Sequence, residues 1–188
     1  MWTLLFLVIV LVLAVWSAGW WLAPKVVGPA VAPDPQDYSD AVVQIYGADV
    51  WGIRGRVAIH TWVATKAENE ATYEIAQVIG WRQRRGQPVV SITEGMPDRP
   101  WFRSPPLLLF ELQGSQADAL IERVRGAVRS YPYADRYTMW PGPNSNSFTA
   151  WVALEVPELG FELPAKALGA SWMRSNYADV RGVAGASR

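Results

Sequence analysis

The chain contains no cysteine, which excludes disulfides, thiolate metal sites and a cysteine nucleophile together. It has one histidine, and its 17 basic residues balance 17 acidic ones. With no net field to attract polyanions, nucleic acid is not expected as a partner. A metal site would have to be built from oxygen ligands, and no run of carboxylates has calcium-loop spacing. Neither a phosphate-cradling Gly-Lys-Ser/Thr loop nor a dinucleotide fingerprint occurs, so no cofactor is expected. Internal repeats and low-complexity blocks are missing as well.

Charge is also missing from Trp2 to Ala23, and that absence is informative. These 22 positions would reach roughly 33 Å as a helix, enough for the ~30 Å hydrocarbon slab of a bilayer. Trp2 lies at one end and Trp16, Trp20 and Trp21 lie near the other, where interfacial aromatics belong. The expected partner of residues 2–23 is therefore the lipid bilayer. A cleaved secretory signal is the alternative, with Ser17-Ala18-Gly19 offering small residues to a peptidase; the absent basic n-region and the long apolar run speak for a retained anchor. Lys25 is the only basic residue near either end, and Asp34, Asp37 and Asp40 follow, so a translocated C-terminal domain is expected. The organisation expected is an anchor over 1–24, a Pro-rich linker over 25–37, one globular domain over 38–175 and a flexible tail over 176–188.

The domain reads as α+β, a small and mostly antiparallel sheet packed with helices. Segments 41–46, 56–66, 72–81 and 88–93 are rich in Val, Ile, Thr and aromatics and are separated by Gly and polar clusters, which predicts four strands. The second and third flank Ala67-Glu68-Asn69-Glu70-Ala71 and should form a hairpin. Leu107 to Leu112 predicts a fifth strand, apolar enough for burial on both faces. Ser115 with Asp118 suggests a helix cap, and Ala117, Leu120, Ile121, Val124 and Val128 then recur at helical spacing. A second helix is expected from about Ser147 to Val156, stopped by Pro157.

Two local features could carry chemistry. His60 sits mid-strand on the face of Ala58 and Trp62, where a lone histidine is ordinarily structural. The run from Trp140 to Phe148, Trp-Pro-Gly-Pro-Asn-Ser-Asn-Ser-Phe, delivers a polar triplet, Asn144, Ser145 and Asn146, to a helix start. Those residue types are favoured helix caps, yet a hydroxyl placed there also faces free N–H groups, as in an oxyanion pocket. Arg82, Arg84 and Arg85 could form an anion site or simply a solvated loop. The tryptophans outside the apolar run, Trp51, Trp62, Trp81, Trp101, Trp140, Trp151 and Trp172, could pack the core or line a glycan or lipid groove.

The string His60-Thr61-Trp62, the later Gly80-Trp81, Tyr131-Pro132-Tyr133 and the Trp140–Phe148 run resemble an uncharacterised bacterial family of membrane-anchored proteins, a domain of unknown function. The resemblance covers about residues 38–172 and names no activity. A more distant one is to circularly permuted papain-like hydrolases of the NlpC and PPPDE types and to relatives of lecithin retinol acyltransferase. These carry a histidine on an early strand and a later Asn-Cys-Asn-like motif opening a helix. That likeness implies His60 as base and Ser145 in place of the cysteine, with serine a departure that demands a positioned base. A polar side chain beside His60 would hold its tautomer. In a hairpin centred near Asn69 the residue opposite His60 lies close to position 78, which makes Gln77 the nearest polar side chain and Glu74 a more distant one.

These readings give a bacterial inner-membrane, periplasm-facing domain that hydrolyses or transfers amides or esters of envelope peptide or lipid. His60, Ser145 and Gln77 would be its catalytic set, and Asn144, Asn146, Trp62 and Trp140 would line the binding site. The alternatives are a non-catalytic papain-like binding domain, in which Ser145 merely caps the helix, and a structural subunit of a membrane complex.

Overall fold

The computed structural model describes residues 31–50 and 57–186. The expected anchor over 2–23, the first part of the linker and Trp51 lie outside them. No helix among the described residues is long and apolar enough to cross a membrane.

Five antiparallel strands form one sheet: β1 (Val42–Asp49), β2 (Ile59–Lys66), β3 (Tyr73–Val78), β4 (Val90–Gly95) and β5 (Leu107–Gln113). Their spatial order is β4-β3-β2-β1-β5. Among the described residues four helices accompany them: the single turn α1 (Gly80–Gln83), then α2 (Ser115–Arg129), α3 (Ser145–Glu155) and α4 (Ala170–Ala186). A 3₁₀ turn over Pro157–Leu159 follows α3, because proline cannot supply the next helical N–H. The protein is thus an α+β fold with an antiparallel sheet.

Side chains alternate across the pleat, and the two faces have different covers. Val43 and Ile45 of β1, Ile59 and Val63 of β2 and Ala76 and Val78 of β3 join the main core. Helix α2 adds Ala117, Ile121, Val124 and Val128, while α3 adds Phe148, Trp151 and Val152. Helix α3 is buried on every side from Ser145 to Val152, as befits an element wedged between the sheet, α2 and α4. The Trp151 indole donates to the Ala127 carbonyl of α2 at 3.0 Å, so its one polar atom is satisfied inside the core.

The other face carries a smaller cluster of Val42, Tyr46, Ala48, Trp62, Ala64, Tyr73 and Ile75. Irregular chain covers it, with Ala32 and Tyr38 before β1 and Met96 and Trp101 after β4. Tyr73 donates its hydroxyl to the Pro33 carbonyl at 2.9 Å, and Lys66 donates to the carbonyls of Ser39, Asp40 and Ala67. Packing against the sheet therefore begins by Ala32, within the stretch expected to be linker.

Three further expectations need correction. Strand β5 is an edge strand with Leu107 and Gln113 exposed and the rest half-buried, so its apolar run is not covered on both faces. The cap of α2 is Gly114, not Ser115: the chain leaves β5 at φ 63°, which glycine tolerates, and Ser115 becomes the first helical residue. Residues 176–186 continue α4 instead of forming a tail, and Tyr177 packs on Trp151 with ring centroids 5.6 Å apart while donating to Glu155.

The β2–β3 hairpin is tied down from above. Arg125 of α2 makes a two-pronged contact with Glu70 at 2.9 and 2.6 Å and also donates to Thr65. Glu70 in turn accepts from the Ala67 N–H at 2.8 Å, closing the loop. The guanidinium bonds hold the Glu70 carboxyl below its ordinary pKa.

Candidate functional site

His60 stands at the second position of β2, on the face of Trp62 and Ala64. Its Nε2 lies 3.0 Å from Oε1 of Gln77. The β2–β3 register pairs Trp62 with Gln77, one residue from the spacing expected, and it is this register that turns Gln77 toward the imidazole. Since Gln77 offers a carbonyl oxygen there, the imidazole places its proton on Nε2. The ring lies flat on Trp101, with centroids 3.9 Å apart and planes 4° from parallel, and is tilted against Trp62 at 6.0 Å. Only 7% of His60 is exposed. Burial pushes its pKa down to about 4, against the opposing pull of the Gln77 contact, so it is neutral near pH 7.

The next residue points the other way. Thr61 Oγ1 lies 3.0 Å from Asn146 Oδ1, 2.9 Å from the Thr149 hydroxyl and 3.3 Å from the Ser145 carbonyl. Helix α3 thus opens over Thr61, on the face opposite the imidazole. His60 and Gln77 are brought together, whereas Ser145 and His60 make no hydrogen bond and have the sheet between them. That follows from the two-residue period of a strand: two neighbours cannot face one side.

The polar triplet is itself a structural knot. Asn144 caps α3, its Oδ1 accepting from the N–H groups of Asn146 at 3.0 Å and Ser147 at 3.1 Å. Its Nδ2 donates to the carbonyls of Met139 and Leu168. Asn146 donates through Nδ2 to Ile59 and Leu168, which stitches the helix start to β2 and to the chain before α4. Ser147 donates to the Gly169 carbonyl at 3.0 Å. Gly169 is required here, because its φ is 105° and a Cβ would collide with the Asn144 amide. The helix accordingly begins at Ser145, two residues before its expected start.

Trp62, expected to line a site, is 4% exposed; it stacks on Tyr46 at 5.6 Å and donates to the Pro97 carbonyl at 2.9 Å. Trp140 is 67% exposed. Asn144, Ser145 and Asn146 are all buried. Among the described residues no cluster of His, Asp and Glu is arranged to hold a metal ion.

Sequence reasoning did not single out the turn from Trp101 to Ser104. These two residues exchange backbone hydrogen bonds at 3.0 and 2.9 Å, and both residues between them, Phe102 and Arg103, have positive φ, 44° and 72°. Such turns ordinarily select Asn-Gly, and each bulky residue held there costs about 1–2 kcal/mol. No turn signature in the sequence marks it. The turn places Phe102 edge-on to Trp101 at 5.2 Å and to Trp81 at 5.5 Å, while Trp81 stacks on Trp101 at 5.6 Å. The imidazole of His60 is the buried floor of this aromatic group.

Fold and site together define an antiparallel-sheet α+β domain with helices on one face, irregular cover on the other, and no assembled Ser–His pair. A family model matches residues 40–172, and its description is "Protein of unknown function (DUF3750)". The chain belongs to that family. No curated protein and no solved structure matches it.

Proposed function

We propose that the chain is a membrane-anchored binding domain, held at the bacterial inner membrane by residues 2–23 and facing the periplasm, whose working surface is the aromatic group built over His60. One observation carries this reading: the imidazole and the N-terminus of α3 stand on opposite faces of β2. The reading also accounts for the polar triplet, whose amides and Ser147 hydroxyl are consumed in holding α3 to β2 and α4. The neutral, ring-stacked imidazole serves as a flat, weakly polar platform, and Gln77 is the residue that positions it.

Hydrolysis or acyl transfer through Ser145 and His60, on a permuted papain-like fold, is the second reading. Its support is the His60–Gln77 contact, which is what a base and its positioning residue require. It would need the imidazole to reach across the sheet. A fluorophosphonate probe applied to the detergent-solubilised full chain decides between the two. The binding reading expects no labelling of Ser145 from acid to alkaline pH; labelling that disappears in His60→Ala would overturn it and establish the enzyme. Carbonate extraction of membranes tests the anchor independently, since a peripheral chain is released and a spanning one is retained.

A further inference from the structure

The geometry points to the Trp81, Phe102 and arginine surface as the place where the domain lies down on its own bilayer, with aromatic side chains in the headgroup layer and guanidinium groups on anionic lipid phosphates. This rests on the anchored reading above and names the partner of the same surface.

The path of the chain comes first. Asp98 accepts from the N–H groups of Val31 at 2.7 Å and Ala32 at 3.2 Å, so the first described residues are pinned to the loop that carries Trp101, Phe102 and Arg103. The stretch from Pro24 to Val31 is eight residues, which span at most about 28 Å even when fully extended. The loop therefore lies within about 28 Å of the end of the apolar run, which keeps it within reach of the lipid.

What the loop presents suits that place. Trp81 is 40% and Phe102 53% exposed, a costly display for a domain surrounded by water. Residues 80–86 and 96–104 hold five arginines, Arg82, Arg84, Arg85, Arg99 and Arg103, against one acid, Asp98, although the whole chain is neutral. Asp98 is engaged with the two backbone N–H groups. Arg84, Arg85 and Arg99 are exposed. Tryptophan and phenylalanine favour the membrane interface, and arginine pairs with phosphate in a two-pronged way that lysine cannot match.

The cysteine-free chain permits a direct test. Full-length protein carrying a spin label at Ser104→Cys is reconstituted into nanodiscs of phosphatidylethanolamine with phosphatidylglycerol, and a second preparation carries the label at Glu162→Cys as a reference. The expected result is that the Ser104 label is relaxed preferentially by oxygen and the Glu162 label by a water-soluble nickel chelate. Phe102→Ala combined with Arg99→Glu should return the Ser104 label to the aqueous pattern, as should replacing phosphatidylglycerol with phosphatidylcholine. A Ser104 label that stays aqueous in anionic discs, while carbonate extraction retains the chain, overturns the docking and leaves the anchor standing. Release by carbonate removes the anchor and the docking with it. Shielding of the Ser104 label by added soluble peptidoglycan fragments, without shielding by the anionic disc, would reassign the surface to glycan and also overturn the proposal.

Discussion

The Asn146 carboxamide and the Thr61 hydroxyl meet at 3.0 Å on one side of β2, while the His60 imidazole, one residue earlier in the chain, lies against Trp101 on the other. Asn146 is oriented by this meeting: with Oδ1 receiving the Thr61 proton, Nδ2 faces the carbonyls of Ile59 at 3.0 Å and Leu168 at 2.9 Å. The substitution Asn146→Asp keeps size and shape but points a second oxygen at two carbonyls inside the core. Losing two donors and burying a charge should cost roughly 3 kcal/mol or more. Thr61→Val, which leaves Asn146 Oδ1 without its donor, should cost about 1–2 kcal/mol. Urea unfolding of the two variants reads both values, and an Asn146→Asp variant as stable as the parent would sink this account of the triplet.

The neutral state of His60 makes stability depend on pH. In the unfolded chain its pKa is near 6.5, and in the fold burial lowers it to about 4. Between these values the unfolded state holds more protons than the folded one, so stability is complete above pH 6.5 and falls as pH drops toward 4. The loss from this one group amounts to roughly 3 kcal/mol at most. Thermal melts across this window should show Tm declining with acid, and the slope should flatten in His60→Gln. An equal slope in that variant would mean that carboxylates, not the imidazole, set the acid sensitivity.

Much of the sheet was legible because its strands are written in β-branched and aromatic residues, and the hairpin about Asn69 brought Gln77 within one residue of its true register. The side of the sheet on which α3 would pack was not legible. It depends on whether odd or even residues of β2 meet the helix, and both sets, Ile59, Thr61 and Val63 or His60, Trp62 and Ala64, are plausible core sequences. Helix α4 escaped notice altogether, for a different reason: beyond Asn176 its contacts come from Tyr177 and Val180 at the rim of the core, too few to leave a helical period. The turn at Phe102 and Arg103 contradicts local preference, and such conflicts cannot be read forward from propensity.

Gly169 offers a test of the knot that involves no polar group. Its φ of 105° is a strained conformation for any other residue, and the atoms nearest to an added Cβ, all closer than 3.0 Å, are those of the capping Asn144 side chain. Gly169→Ala should therefore push Asn144 off the end of α3 and lose both strain energy and the cap, a destabilisation of about 2–4 kcal/mol. Gly182, where an added Cβ meets nothing within 4 Å, is the comparison site. Gly182→Ala should be neutral or mildly stabilising, by up to about 1 kcal/mol, through helix propensity. Equal melting temperatures for the two variants would show that the helix start tolerates displacement of its cap.

Tyr131 is a place where the fold can be improved. Its ring is 3% exposed and packs edge-on against Phe148 at 5.2 Å, but its hydroxyl is buried without a hydrogen-bond partner among the described residues. Burial pushes its pKa well above the ordinary tyrosine value, so the group stays a neutral hydroxyl that has lost its water. Removing an unsatisfied polar atom while keeping the ring should help, because the desolvation penalty is lifted and the aromatic contacts remain. Tyr131→Phe is therefore expected to gain about 1 kcal/mol and to raise Tm by a few degrees. If differential scanning calorimetry shows a loss instead, the hydroxyl has a partner in solution, and the interior beside α2 and α3 must hold a water or shift to meet it.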